Sequence, residues 1–574
     1  MSKKITGIGA SEGIAIAKAY VLVEDHIKVS DTKVKDTKKE LKLIDEALSK
    51  AKKDLSNLQK IALEKLGPEK AAIFEAHEQI LEDPAMSEEW NKLVQEEFCN
   101  AAFAVKTVAD KYSAMFLAME DDYFKERAAD VKDVTERLIR YILNMPVLDL
   151  ATIAEEVIIV ADDLTPSQTA QLNPKFVKGF ATNIGGRTSH AAIMARSLEI
   201  PAVLGLKNIT TTVKSGEMLA IDGQTGNLEI APSDVKAWAT KEEQFKKIKQ
   251  ELMSFKNKKT ITKDGFDKFI LEGNIGAPKD VEAVLSNGGE GIGLFRSEFL
   301  YMDNDHFPTE EEQFVAYKKV VEDMNGHVTI IRTLDIGGDK KLSYFKFPEE
   351  MNPFLGYRAI RFTLDRKDIF REQIRALLRA SAFGPLGIMF PMIATIDEFK
   401  AAKQFTLDCK KELEKEGVKI GKDLQIGMMV EIPAAAVNAE NFAKHADFFS
   451  VGTNDLVQYS MAADRMSENV TYLYQPYNPS ILRLLKMTID GAHKHGKWAG
   501  MCGEMAGEPQ AIPLLMGLGL DAFSMSATSI LRARSIISKL TLKETQELAS
   551  KALDCETTDE VLKLVDALLA KSEK

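Results

Sequence analysis

Between residues 25 and 144 apolar side chains return every three or four positions, with Lys and Glu dense between them. Leu41, Ile44, Leu48, Leu55 and Leu58 fall on one stripe, and Val105, Val108, Tyr112, Phe116 and Met119 on a second. That period predicts amphipathic helices that bury their stripes against one another in a bundle. On both sides of this block the pattern is that of strands, over 14–22, 157–160, 176–181 and 200–205, with a hairpin-like stretch over 217–230. The reading is an α/β domain formed by residues 1–24 plus 145–230, with the helical block 25–144 inserted into it. Residues 231–260 are charged and helical in pattern without a second apolar face, and read as a linker helix.

Beyond the linker, strand-like runs alternate with helical stretches eight times, at 269–273, 291–295, 328–331, 386–390, 425–430, 448–451, 498–501 and 522–525. Several are nearly continuous apolar runs, as strands buried on both faces should be. Eight β/α repeats over 261–574 predict a (β/α)8 TIM barrel, in preference to an open doubly wound sheet.

A chain of 574 residues is too long for a single core, so the composition fits a multidomain globular protein. The formal net charge of −11 argues against a general nucleic-acid binder and suits a basic protein partner. Cys99, Cys409, Cys502 and Cys555 lie far apart with no CxxC pair, which argues against zinc and against a disulfide framework. No apolar signal region opens the sequence and no stretch is long enough to span a bilayer, so a cytoplasmic protein is expected, without membrane insertion. The glycines of residues 5–13 belong to no phosphate loop or dinucleotide fingerprint, and read as tight turns at a β edge.

Chemistry concentrates in two places. The first is Gly185-Gly186-Arg187-Thr188-Ser189-His190, where a glycine loop becomes a helix that Ala191 to Arg196 propagate. Thr188 or Ser189 caps that helix. His190 then sits in the first turn, where unpaired N–H groups and the helix dipole favour negative charge and a neutral, nucleophilic imidazole. A lone histidine there would more often be a simple cap residue; the two glycines, which let backbone approach a ligand, favour function. The second place is the C-terminal ends of the expected barrel strands. Arg296, Arg332, Glu431, Asn454 with Asp455, and Cys502 follow five different strands on one face. Glu431 and Asp455 are hard oxygen ligands suited to Mg²⁺. Arg296 and Arg332 present forks for phosphate and carboxylate, with Arg358 and Arg465 as further candidates.

The histidine segment and these strand-end motifs resemble the phosphoenolpyruvate–protein phosphotransferases, Enzyme I of the bacterial sugar phosphotransferase system, over nearly the whole chain. The resemblance implies that phosphoenolpyruvate binds at Arg296, Arg332, Asn454, Asp455 and Arg465, with Mg²⁺ on Glu431 and Asp455. It further implies that His190 takes the phosphoryl group, Cys502 protonates the enolate carbon to give pyruvate, and Thr169 hydrogen-bonds the imidazole. It also implies the phosphocarrier protein HPr as partner, docked on the acidic and apolar helical insert around 69–83, and a homodimer formed through the barrel. One departure is Glu508, where an aspartate is common. Competing readings are an enzyme like pyruvate phosphate dikinase or phosphoenolpyruvate synthase, a nitrogen-regulatory phosphotransferase paralogue, and a non-catalytic scaffold. The absence of a phosphate loop disfavours the dikinase type, and the joint presence of His190, Glu431, Asp455 and Cys502 disfavours the scaffold.

Overall fold

The computed structural model describes residues 2–572 apart from 23–28, 67, 118–121, 146–149, 151–152, 166–167, 170–171, 187–188, 199, 303, 339, 341 and 466. The side chains of 64–66, 68–70, 72, 122–126, 129, 190, 193, 197 and 468 also lie outside the described set. The chain divides into two compact units, Met1–Ile248 and Lys249–Lys574.

The first unit contains strands β1 (Lys3–Thr6), β2 (Ile8–Ser11), β3 (Ile14–Val21), β4 (Val157–Ala161), β5 (Val177–Thr182), β6 (Ala202–Leu204), β7 (Met218–Asp222) and β8 (Asn227–Ile230). They form one eight-stranded sheet in the order β1-β8-β7-β3-β4-β5-β6-β2. β1 and β2 occupy opposite edges although Gly7 alone separates them in sequence, so the chain turns sharply there. A Cβ at Gly7 would lie 2.5 Å from the Leu204 carbonyl oxygen, and only glycine permits that approach. The parallel pairing of β3 with β4 joins the two sequence-distant parts of the sheet.

Between β3 and β4 stand helices α1 (Thr37–Leu66), α2 (Pro68–Leu81), α3 (Pro84–Glu96), α4 (Ala101–Leu117) and α5 (Asp122–Ile142). Their stripes meet as the 3.6-residue period requires: Ile44, Leu55, Leu58, Val105 and Val108 are buried around Trp90 and Leu138, while Leu41, Leu48, Tyr112 and Phe116 pack at the margin. Met119 of the second stripe lies outside the described residues. α3 starts at Asp83, whose carboxylate accepts from the backbone N–H of Ala85 and Met86, with Pro84 preset for the first turn. The helix Val235–Met253 buries no side chain. Its first turns are tied to the sheet by Trp238 Nε1, which donates to Glu229, and by the Lys241–Asp222 ion pair.

The second unit is a closed, all-parallel barrel of β9 (Ile270–Ile275), β10 (Ile292–Arg296), β11 (Thr329–Arg332), β12 (Leu386–Phe390), β13 (Gln425–Val430), β14 (Phe448–Val451), β15 (Trp498–Met501) and β16 (Ala522–Met525), β16 pairing back onto β9. The last five coincide with the apolar runs read from sequence, and the first three are displaced by one or two residues. Leu294, Ile330, Met389, Met429 and Phe448 fill the interior. The opposite faces of the strands pack on the surrounding helices in a continuous apolar layer that includes Leu271, Phe295, Phe390 and Phe523. The strands are buried on both faces, so alternation is faint in their sequences.

Candidate active site

In the first unit β5 ends at Thr182, and the following loop leads to the helix His190–Ser197. Asn183 braces the loop by donating to Asp162 at 2.7 Å and to Thr210 at 2.7 Å. Gly185 has φ of +111°, a conformation that favours glycine. Of the two expected caps Ser189 takes the position, its Oγ accepting from Ala192 N–H and donating to the Gly186 carbonyl at 2.8 Å. Ala191, Ala192 and Ala195 bury the helix against the sheet, and His190 is its first residue. Arg187, Thr188 and the imidazole of His190 lie outside the described residues. Buried Thr169 donates from its hydroxyl to the Thr165 carbonyl at 3.0 Å.

In the barrel the C-terminal strand ends gather the predicted residues. Arg296 and Arg332 are the last residues of neighbouring strands and sit in register with each other. Glu431 follows β13 directly, Asp455 lies in the first turn of the helix Thr453–Met461 after β14, and Cys502 follows β15. Arg358 reaches into the same space from the long segment after β11. Its guanidinium donates to Asp335 at 2.9 Å and to the Tyr459 hydroxyl at 3.3 Å, and lies 3.6 Å from Asp455.

Three charged residues without an assigned role in the sequence reading organise these cations. Arg332 pairs with buried Glu298, and with buried Asp335 at 3.0 Å. Lys340 bridges the same two carboxylates at 2.8 Å and 3.1 Å. Burial alone would raise the Asp335 carboxyl, but Arg332, Lys340 and Arg358 hold it well below the usual carboxylate range. Glu298 is lowered in the same way, burial being outweighed by Arg332 and Lys340. The available signal was spacing: Glu298 stands two residues past Arg296 and Asp335 three past Arg332, each on the turn that leaves a strand end.

Glu431 and Asp455 have the opposite character. Glu431 Oε1 accepts from Met392 N–H at 2.6 Å, while its Oε2 is buried with no hydrogen-bond partner. Asp455 Oδ1 is likewise buried without a hydrogen bond. Burial, and then repulsion from Asp455 and Asp335, pushes the Glu431 carboxyl up to about 8 against the pull of Arg332 and Arg358. These two oxygens lack hydrogen-bond donors, although Asp455 Oδ1 lies 3.6 Å from the Arg358 guanidinium, and the pair fits a hard divalent cation. Among the described residues no cluster of three or more His, Cys, Asp or Glu side chains that could hold a metal ion forms. Met392 presents its N–H from φ of +56°, a costly conformation for a side-chain-bearing residue and a mark of a constrained loop.

Cys502 is buried beside Leu294, Met389 and Met429, with Sγ 3.8 Å from the Val451 carbonyl. Burial raises its thiol pKa, opposed by a hydrogen bond with Ser450 and by the charges of Arg332 and Arg296. Burial thus favours the protonated form of the thiol. Asn454, half-buried, accepts from the Tyr474 hydroxyl at 2.9 Å. Arg465 is half-buried, its N–H donating to Gln458 at 3.1 Å, and its charge acts on Tyr474. Glu508 accepts from Tyr477. The mouth thus combines a fork of arginines, two buried carboxyl groups and a buried thiol, an arrangement suited to a small anion bearing phosphate and carboxylate.

Comparison with known proteins identifies the family. Residues 249–542 match the PEP-binding domain of PEP-utilising enzymes, 6–127 their N-terminal domain and 153–226 their mobile domain. The phosphoenolpyruvate-protein phosphotransferase of Mycoplasma capricolum subsp. capricolum is 62% identical over 571 residues, covering 99% of both chains. Proteins of the same name from Staphylococcus carnosus and Listeria innocua serovar 6a are each 53% identical, covering 99% and 100% of both chains respectively. With its whole length matched, the chain belongs to the phosphoenolpyruvate–protein phosphotransferase family of PEP-utilising enzymes.

Proposed function

We propose that His190 attacks the phosphorus of phosphoenolpyruvate bound in the barrel mouth. The N–P bond forms as the P–O bond to the enol oxygen breaks. Cys502 then gives its thiol proton to the enolate methylene carbon, releasing pyruvate, and the thiolate regains a proton from water. Arg296, Arg332 and Arg465, with Arg358, grip the phosphate and carboxylate; Asn454 and Asp455 complete the pocket. Glu431 and Asp455 would hold Mg²⁺, which when bound supplies charge compensation to the substrate oxygens. The observation that carries this reading is the convergence of the arginine fork, the two carboxylate oxygens without hydrogen-bond donors and the buried thiol at five strand ends.

The phosphoryl group then passes from His190 to a histidine of the carrier protein HPr, in the first step of sugar uptake by the phosphotransferase system. Each transfer needs in-line contact, so the His190 domain must enter the barrel mouth and leave it again. The helical insert is the proposed docking surface. On α2, Ala71, Phe74, His77 and Leu81 face its core, leaving Glu75 and Gln79 exposed, with Glu82 beside them, an acidic and polar face suited to a basic partner. A cytoplasmic homodimer joined through the barrel completes the reading.

The test is to incubate the full chain with phosphoenolpyruvate and Mg²⁺. Pyruvate together with an acid-labile phosphoryl group on His190, chased onto added HPr, is the expected result. Covalent phosphorus on any other side chain overturns it.

A further inference from the structure

Cys502 stands one residue beyond the last residue of β15. Its N–H donates to the Val451 carbonyl at 3.1 Å, continuing the ladder with β14. On the other side the ladder has stopped, since β15 pairs with β16 only through Gly500 and Met501. The Cys502 carbonyl is taken instead by a side chain from a strand that is not its neighbour: Asn274 Nδ2 on β9 donates to it at 2.9 Å. The same amide nitrogen lies 3.4 Å from the Ser524 carbonyl, and Ser524 Oγ donates to Asn274 Oδ1 at 2.6 Å. The two carbonyls can only accept, so they fix which end of the amide is the donor, and the Ser524 hydroxyl donates to the oxygen that remains. One carboxamide spans β9, β16 and the end of β15 inside the barrel mouth.

We infer that Asn274 is a positioning residue for the reaction, holding the Cys502 backbone so that the thiol points at the substrate carbon, with Ser524 anchoring the oxygen of its amide. This rests on the reading of Cys502 as the proton donor. Proton transfer to carbon needs the S–H aligned with one face of the enolate, and a misplacement of about 1 Å costs on the order of 10²-fold in rate. The Asn274 bond closes the side on which strand pairing leaves Cys502 unheld.

The test uses stereospecifically labelled phosphoenolpyruvate turned over in D₂O by the full chain, following kcat, KM and the face on which the methylene carbon is protonated. Asn274→Ala is expected to lower kcat by about 10²-fold with KM unchanged. It should also yield pyruvate protonated on both faces, because the enolate now takes its proton from water. Ser524→Ala keeps the whole backbone and is expected to move both readouts in the same direction by less. It carries the test if melting shows that Asn274→Ala does not fold. A folded Asn274→Ala, or otherwise Ser524→Ala, with wild-type kcat and single-face protonation overturns the inference. Cys502→Ala, measured in parallel, separates the two levels: if it too protonates one face at the wild-type rate, the role of Cys502 itself falls.

Discussion

Arg358 donates to the carboxylate of Asp335 at 2.9 Å, and the other oxygen of that carboxylate meets Arg332 at 3.0 Å. One buried anion thus sets the separation of two guanidinium groups that arrive from different parts of the chain. Asp335→Asn keeps the shape of the side chain but should leave both cations buried and poorly compensated. We expect a loss of about 3 kcal/mol in barrel stability. We also expect KM for phosphoenolpyruvate to rise about tenfold or more, on the order of the strength of a lost charged contact. Steady-state kinetics and denaturant unfolding check the two effects.

His190→Ala should abolish phosphoryl uptake while phosphoenolpyruvate still binds the barrel with unchanged affinity, because the histidine and the arginine fork belong to separate compact units. Calorimetric titration beside a labelled-phosphate assay distinguishes the two properties. Cys502→Ala should retain the fold and metal binding yet form pyruvate far more slowly.

Removal of the divalent cation by a chelator should weaken phosphoenolpyruvate binding, and Glu431→Gln should make the residual binding insensitive to added Mg²⁺. The rate should fall by orders of magnitude, since such an ion contributes several kcal/mol of transition-state stabilisation. Undiminished turnover in Glu431→Gln would remove this carboxylate from the metal site.

Gly503 brings the segment after Cys502 close to the start of the helix Thr453–Met461: a Cβ there would lie 1.8 Å from Thr453 Oγ1 and 2.8 Å from the Thr453 backbone nitrogen. Gly503→Ala should push the thiol loop away from Asn454 and Asp455. We expect kcat to fall by about 10²-fold for a displacement near 1 Å, with the overpacking costing about 1–3 kcal/mol in stability. Paired kinetic and unfolding measurements test this.

Glu272 lies inside the barrel below Asn274, and burial, with the charge of Glu290, pushes its carboxyl up to about 8. The folded-state pKa is raised above the unfolded value, so the associated stability is complete below about 4.5 and declines as pH rises toward about 8. Above that window the loss is constant. Glu272→Gln should therefore flatten the dependence of the barrel transition on pH and leave it more stable than the parent at pH 8, by several kcal/mol at about 1.4 kcal/mol per pH unit. Unfolding measured at pH 5 and pH 8 decides it.

The linear chain carries more of this molecule than is usual. Ile44, Leu55, Val105 and Val108 announced the helical insert because a helix that buries one face must repeat its apolar residues at three and four. The barrel strands were legible as short apolar runs between helices, and Arg296, Arg332, Glu431, Asp455 and Cys502 stood out because each falls at a strand's C-terminal end. Local periodicity and strand-end position are properties of neighbours in sequence, and so the sequence by itself determines them.

Contacts between distant residues are different. That Asp335 reaches Arg358, that Lys340 shares Glu298 with Arg332, and that Asn274 donates to the Cys502 carbonyl across 228 positions are consequences of tertiary folding, which local pattern does not encode. The same holds for the sheet of the first unit, where β1 and β2 part to opposite edges at Gly7. Burial is likewise a property of the assembled fold: Glu431 and Asp335 are both acids beside arginines, yet desolvation and the count of nearby charges drive one carboxyl up and the other down. Sequence named the reactive groups; only the closed barrel decided their charge.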